Sequence, residues 1–438
     1  MEKGNKKVIN AWAFYDWANS SYPLVVSTSI FPIFYETVTG KGPIGIGTGP
    51  NHDMVNFLGL ELANSALYSF VVAASFLVVC FVSPILSGVA DYSGSKKGFL
   101  KFFCYLGAIS TASLYFFDKH NLEWSMLSIF FASIGFWNSL VFYNAYLPEI
   151  AEPKDHDRIS AKGFSMGYFG ASILLIICLL LMDNLIPGLL PFKMEAKTSF
   201  VLVAIWWIGF SQITYRKLPE AKNSNKITKE ILGNGFKELK KVWAFIKGTM
   251  QLKRFLYSFF VFSMGVQTIM LMAVLFAKKV VFTNGDSSGL IIAVLIIQFI
   301  AIPGAYLFSY LSKRIGNIMT LIIALVVWVF VCVFAYIVVD SQITFYVLAC
   351  IVGFVMGGTQ SLSRSTYSKF LPETDDTASF FSFFDITEKI GIVIGMVAFG
   401  VMESLFGDIR ASVLALMVFF IIGVVLLFRV PKKESIAK

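Results

Sequence analysis

Charge is scarce in this chain. Asp, Glu, Lys and Arg make up 14% of its 438 residues, where soluble domains carry about 25%. The length would allow several soluble domains, but this composition excludes them. Histidine is almost missing: His52, His120 and His156 all fall between apolar blocks, which excludes a His-rich metal site and a histidine-based membrane hydrolase. The five cysteines, Cys80, Cys104, Cys178, Cys332 and Cys350, lie inside apolar runs with no CxxC pair. They read as small buried side chains, with no disulfide framework. There is no G-x-x-x-x-G-K-[ST] loop and no soluble segment to hold one, so a nucleotide-driven pump is excluded. No cofactor is expected. The basic start, Met1 to Ile9, lacks the short apolar core and cleavage site of a signal peptide and reads as the lead into a retained first span.

Apolar residues fill the space that charge leaves. They make up 57% of the chain, at a mean hydropathy of +0.73, and they come in blocks. A spanning helix needs about 20 mostly apolar residues. Twelve segments qualify: Asn10–Val38, Ala63–Ala90, Phe99–Phe117, Trp124–Leu147, Ala161–Met182, Phe200–Tyr215, Phe255–Val280, Gly289–Leu311, Ile318–Val339, Ile343–Leu362, Ser379–Met402 and Ala411–Phe428. The expected fold is an all-α membrane protein of twelve transmembrane helices in two six-helix bundles. These occupy residues 1–217 and 253–438, with a linker at 218–252.

A net charge of +9 raises nucleic acid as a partner. The basic residues sit between the blocks, however, where they act as topology signals, and nucleic acid is excluded. With the N-terminus cytoplasmic, the cytoplasmic segments hold 28 Lys and Arg and the opposite loops 7, with Lys389 inside a span. Both termini are therefore expected in the cytoplasm. In the linker, Leu232, Phe236, Leu239, Trp243 and Ile246 recur at helical steps, with Lys229, Lys237, Lys240, Lys241 and Lys247 on other faces. Such a helix is expected in the membrane interface, lysines toward anionic lipid, either as a plain inter-bundle linker or as a regulatory element.

Two six-helix halves joined by such a linker is the layout of major facilitator transporters, whose binding site lies near the midplane between the halves. After span 2 the chain reads Ser87-Gly88-Val89-Ala90-Asp91-Tyr92-Ser93-Gly94-Ser95-Lys96-Lys97. It resembles that superfamily's loop, G-x-L-A-D-R-x-G-R-R. Asp91, Gly94 and Lys96 match, while Ser87, Tyr92 and Ser95 depart. An acid and a base on a tight glycine turn can clasp helix ends at a gate. The loop after span 8 keeps Arg314 and Gly316 but has Lys313 in place of the acid. Asp91, Gly94, Lys96, Arg314 and Arg364 are the expected gate residues. Arg364, at the cytoplasmic end of span 10, reads as a gate ion pair or a snorkelling side chain.

Span 1 begins Trp12-Ala13-Phe14-Tyr15-Asp16-Trp17-Ala18-Asn19-Ser20-Ser21-Tyr22-Pro23. Asp16, Asn19, Ser20, Pro23 and Ser27 share one helix face, and an acid on a spanning helix should look into the bundle. This stretch resembles the opening of the vacuole effluxer family of the major facilitator superfamily. Tyr143-Asn144-Ala145-Tyr146-Leu147-Pro148-Glu149-Ile150 and Gly357-Gly358-Thr359-Gln360-Ser361-Leu362-Ser363-Arg364-Ser365 resemble it too, and Lys389 stands where that family carries a buried lysine. The resemblance covers nearly the whole chain and implies a secondary transporter. Its fungal relatives export amino acids from the vacuole.

Span 11 holds Asp385, Glu388 and Lys389, with Asp385 and Lys389 paired at i, i+4. With Asp16 they form either a proton-coupling site or, for the span 11 trio, a permanently paired structural cluster. Spans 1, 4, 7 and 10 usually line the cavity in this superfamily. The expected cavity residues are Asp16, Asn19, Ser20, Tyr22, Trp137, Asn138, Asn144, Gln267 and Gln360. The expected function is alternating-access transport of a small polar solute, an amino acid or related metabolite, with protons as the coupling partner. The protein is expected as a monomer in a bacterial inner membrane, in contact with lipid. Two rivals differ in class: a membrane-embedded enzyme and a ligand sensor that does not transport.

Overall fold

The computed structural model describes residues 3–40, 54–118, 120–183, 194–220, 231–282 and 287–431. Among the basic residues used for orientation, Lys41, Lys119, Lys193, Lys222, Lys226, Lys229, Lys432, Lys433 and Lys438 lie outside these, as does His52.

An apolar segment in lipid must satisfy its amides internally, and the described chain is helical almost throughout. Span 2 is Asn64–Ser93, span 3 Lys96–Ser113, span 4 Leu122–Ala145, span 5 His156–Asp183 and span 6 Ala196–Lys217. After a linker helix, Ile231–Gly248, come span 7 Met250–Val280, span 8 Ser287–Ile315, span 9 Asn317–Ile337, span 10 Gln342–Lys369 and span 11 Thr377–Phe406. Span 12 is Ile409–Ala415 continued by Met417–Phe428. Eleven of these are long and apolar enough to cross a membrane.

The twelfth, span 1, is broken into three helical pieces: Lys6–Asn19, Tyr22–Ile30 and Phe31–Thr39. Pro23 has no N–H to give to the carbonyl of Asn19. The chain then runs as a π-helix, closed by Phe31 donating to Val26, until Pro32 opens the last piece. The wider turn takes Ser27 out of the 3.6-residue register that would place it on one face with Asp16, Asn19 and Ser20.

One departure from helix lies between spans 1 and 2, where Met54–Phe57 and Leu60–Ala63 pair as an antiparallel hairpin. Its turn residues Leu58 and Gly59 both have positive φ, 53° and 83°, as a tight two-residue hairpin turn requires.

Small residues set the helix crossings, as is usual in membrane bundles. Span 5 lies on span 1 through Gly163, Gly167 and Gly170. A Cβ on these would come within 2.5 Å of Asp16 Oδ2, 2.5 Å of Ser20 Oγ and 2.7 Å of the Trp17 ring. Span 11 repeats the device on span 7, with Gly391 against Ser263 and Gly395 against Thr268. Between the halves, span 5 packs on spans 8 and 10, and span 11 packs on spans 2 and 4.

The linker helix rests against the bundle. Val242 and Ile246 are its buried residues, and it packs on spans 2, 7 and 11. Trp243 stacks on Phe383 and Phe245 meets Phe380 edge-on, both at 5.7 Å between centroids. The bundle covers Val242 and Ile246, while Trp243 and Phe245 touch it and stay partly exposed. Lys237, Lys240 and Lys247 are exposed on the outer side; the side chains of Leu232 and Phe236 lie outside the described residues.

Candidate functional site

Two buried cations from the second half dock on span 4 of the first. The first is Arg364. Its Nη1 stands 3.2 Å from Asp16 Oδ2 and donates to Asn144 Oδ1 at 3.2 Å. Its Nε and Nη2 donate to the hydroxyl and carbonyl of Ser160, both at 2.9 Å. The guanidinium faces the rings of Phe164, Trp12 and Tyr143 at 4.0, 4.9 and 5.6 Å. Tyr143 also donates its hydroxyl to Asp16 Oδ2 at 2.8 Å. The cage is fixed in advance: Trp12 stacks on Tyr143 at 4.5 Å and donates to its carbonyl. Arg364 is 3% exposed and Asp16 4%. A charge so buried persists only when paired and hydrogen-bonded, and the planar guanidinium meets a ring of acceptors and aromatic faces that no other side chain matches. Arg364 does not snorkel; it is enclosed.

The second cation is Lys389, fully buried on span 11. It lies 3.1 Å from Asp385 Oδ1, 3.0 Å from Glu388 Oε2 and 3.4 Å from the centroid of the Trp137 ring. Gln267 of span 7 donates to Glu388 Oε1 at 2.7 Å. Asp385 Oδ2 is buried without a hydrogen-bond partner. Asp16, grouped in the sequence with these acids, is instead the partner of Arg364. The two clusters touch span 4 six to seven residues apart, about 10 Å along a helix.

At the linker end of the bundle the halves are tied together twice, once by hydrogen bonds and once by an ion pair. In the first clasp, Gly94 takes the left-handed conformation (φ 68°) that closes span 2. This turn brings Lys96 to 3.1 Å from Asp91 and 2.5 Å from Glu149. Lys96 also donates to the Asp375 carbonyl and the Thr377 hydroxyl. Asp91 in turn accepts from the amides of Ala378 and Ser379, so a carboxylate of the first half caps the N-terminus of span 11. Anions are stabilised at helix N-termini by the free amides and the helix dipole.

The second clasp is the counterpart of the first. Asp157, in the first turn of span 5, accepts from Ser312, Asn317 and Lys369, the last at 2.6 Å. The acid missing beside Lys313 is thus supplied from the other half. Neither Asp157 nor Lys369 stood out in the sequence, because both lie outside the apolar runs Ala161–Met182 and Ile343–Leu362. Arg314, an expected gate residue, takes no part. It is exposed and folds back onto Tyr310 of its own helix.

The remaining expected residues divide. Gln360 accepts from the Tyr168 hydroxyl at 2.6 Å, joining span 10 to span 5. Asn19 and Asn138 are buried, and Asn19 Nδ2 and Asn138 Oδ1 have no partner. Ser20 sits in the Gly167 notch. Tyr22 is packed between Phe136 and Trp207, its aromatic body turned into the core of the first half. No grouping of three or more His, Cys, Asp or Glu suited to a metal occurs among the described residues.

The sequence profile of the family described as "Vacuole effluxer Atg22 like" matches residues 4–438. This chain belongs to that family. The MFS-type transporter YxiO of Bacillus subtilis is 32% identical over 440 residues, covering 99% of this chain and 97% of its own. Autophagy-related protein 22 of Coccidioides immitis is 23% identical, covering 99% of this chain and 88% of its own. Among solved structures, the proton:xylose symporter XylE aligns at TM-score 0.71 and 12% identity, over 99% of this chain and 96% of its own. The transporter FucP in its outward conformation aligns at 0.67 and 12%, over 98% and 99%. The chain is therefore a multi-pass transporter of the major facilitator fold, and its family is one of transporters, not enzymes.

Proposed function

We propose that this Atg22-like transporter moves a small polar solute, of the amino-acid class, by alternating access coupled to protons. One observation carries the coupling: Asp385 and Glu388 share the single cation Lys389, and Asp385 Oδ2 is left unpartnered. Two carboxylates on one lysine leave a surplus negative charge, and a low-dielectric bundle penalises it until a proton binds. A proton on Asp385 weakens the hold on Lys389 and with it the seat on Trp137, a contact between the halves.

The Arg364–Asp16 pair is the matching solute contact. Separating that pair would leave two bare buried charges, which is strongly unfavourable. A zwitterion removes the penalty by giving its carboxylate to Arg364 and its ammonium to Asp16. The amino-acid class follows the family resemblance. The excess of Lys and Arg supports a cytoplasmic clasped end and cytoplasmic termini, the short loops support a bacterial inner membrane, and a monomer is the usual form in this superfamily. The two six-helix halves then rock about the midplane while the clasps open and close.

Counterflow in proteoliposomes with a labelled amino-acid mixture tests this. Accumulation by the wild type places the solute among amino acids. Normal exchange by Asp385→Asn, without pH-driven uptake, assigns coupling to that carboxylate. Absence of accumulation by folded protein removes amino acids as substrates, and pH-driven uptake retained by Asp385→Asn removes the coupling role.

A further inference from the structure

Cys80, Ser83, Ser87 and Asp91 follow one another on span 2 at steps of three, four and four, which places them on one helix face. One end of this stripe is hydrogen-bonded to span 11. Asp91 accepts from the amides of Ala378 and Ser379, and Cys80 lies within electrostatic reach of Asp385 and Lys389. The two serines between them therefore face span 11, which packs along span 2. Ser83 and Ser87 are fully buried, and neither hydroxyl has a hydrogen-bond partner; the same holds for Asp385 Oδ2 at the inner end. Pro84 adds a further acceptor, because it has no N–H to donate to the carbonyl of Cys80.

Buried hydroxyls and a buried carboxylate oxygen are costly unless something bonds them. When they stand in a row between two helices, ordered water is the partner that fits, making two to four hydrogen bonds to such groups. We propose that a file of water between spans 2 and 11, lined by Ser83, Ser87 and the Cys80 carbonyl, connects Asp385 to the clasped end at Asp91 and is the route by which Asp385 exchanges its proton. Glu388 and Lys389 on span 11 and Cys80 on span 2 are the titratable groups that face Asp385; Trp137 of span 4 and Gln267 of span 7 present no charge there. The inference rests on the coupling role given to Asp385 above.

Radiolytic footprinting of the reconstituted protein reads the water without a substrate, because radicals formed from ordered water oxidise the side chains beside it. Cys80 and Cys350 are both half-buried, but Cys350 faces an apolar cleft lined by Ile292, Leu295, Ile296, Phe299 and Ile300. The expected result is oxidation of Cys80 several-fold faster than Cys350. In Ser83→Val/Ser87→Val it falls to the Cys350 rate. In Ser83→Thr/Ser87→Thr, which adds the same bulk but keeps the hydroxyls, it persists. Equal rates at the two cysteines in the wild type, or equal effects of the Val and Thr pairs, overturn the water file. A positive footprint together with pH-driven uptake retained by Asp385→Asn leaves the water standing but overturns its role as a proton route.

Discussion

The ammonium of Lys389 lies 3.4 Å from the centroid of the Trp137 ring, joining span 11 of the second half to span 4 of the first at the level of buried Asp385 and half-buried Glu388. Desolvated cation–π contacts are worth about 2 kcal/mol. Trp137→Leu keeps the apolar bulk but removes the ring face. It is expected to weaken the docked arrangement and to lower solute exchange, whereas Trp137→Phe retains most of it. Exchange rates in proteoliposomes check this, and equal rates for the Leu and Phe variants would remove the ring face from the mechanism.

Removing Lys389 itself strands Asp385 and Glu388. Lys389→Ala is expected to abolish transport and to destabilise the fold, since breaking a buried pair costs about 3–5 kcal/mol. Lys389→Ala/Asp385→Asn removes a charge of each sign and is expected to recover part of the stability. Thermal unfolding in detergent gives the coupling between the two positions. Additive losses would show that Lys389 and Asp385 do not stabilise one another.

Much of this arrangement was legible in the sequence, for reasons that differ by residue. The spans were, because a stretch that buries itself in lipid must be apolar along its whole length. Asp385 and Lys389 were, because one helix carries both at i, i+4. Arg364 and Asp16 come from spans 10 and 1, and no local pattern joins them. Hydropathy also ended span 10 at Leu362, while the helix continues to Lys369. Its last two turns are polar yet buried against span 5 and span 9, so Arg364 and Lys369, which pair with Asp16 and Asp157, lay just beyond the apparent span. Likewise span 5 starts at His156, ahead of the apolar run, and that first turn holds Asp157. The π-helical segment of span 1 was hidden because proline marks a break without saying how the chain resumes.

Gly163 occupies the one spot where span 5 can pass the Asp16–Arg364 pair. A Cβ there would meet Asp16 Oδ2 at 2.5 Å and Arg364 Nη2 at 2.9 Å. Gly163→Ala is expected to displace one of the two charges and to lower exchange by roughly tenfold or more, in protein that still elutes as a monodisperse peak. Wild-type exchange would mean that the pair yields freely at this point and is not the fixed contact described above.

The second clasp gives a prediction about conformation alone. Asp157 accepts from Ser312, Asn317 and Lys369, so spans 5, 8, 9 and 10 are held by one carboxylate. Lys369→Ala leaves the two neutral donors but removes the charge that balances Asp157, and the clasped end is expected to open. Spin labels at Lys154→Cys and Lys313→Cys, both exposed and in opposite halves, report the distance across that end. The variant is expected to populate a longer distance than the parent, and Lys369→Arg, which keeps the charge, to stay with the parent. Trp243→Ala/Phe245→Ala, which strips the linker helix from Phe383 and Phe380, is expected to lengthen the same distance while both clasps remain chemically intact. If Lys369→Ala leaves the distance unchanged while Trp243→Ala/Phe245→Ala lengthens it, the linker end is held by helix packing, and the ion pair there reports closure without causing it.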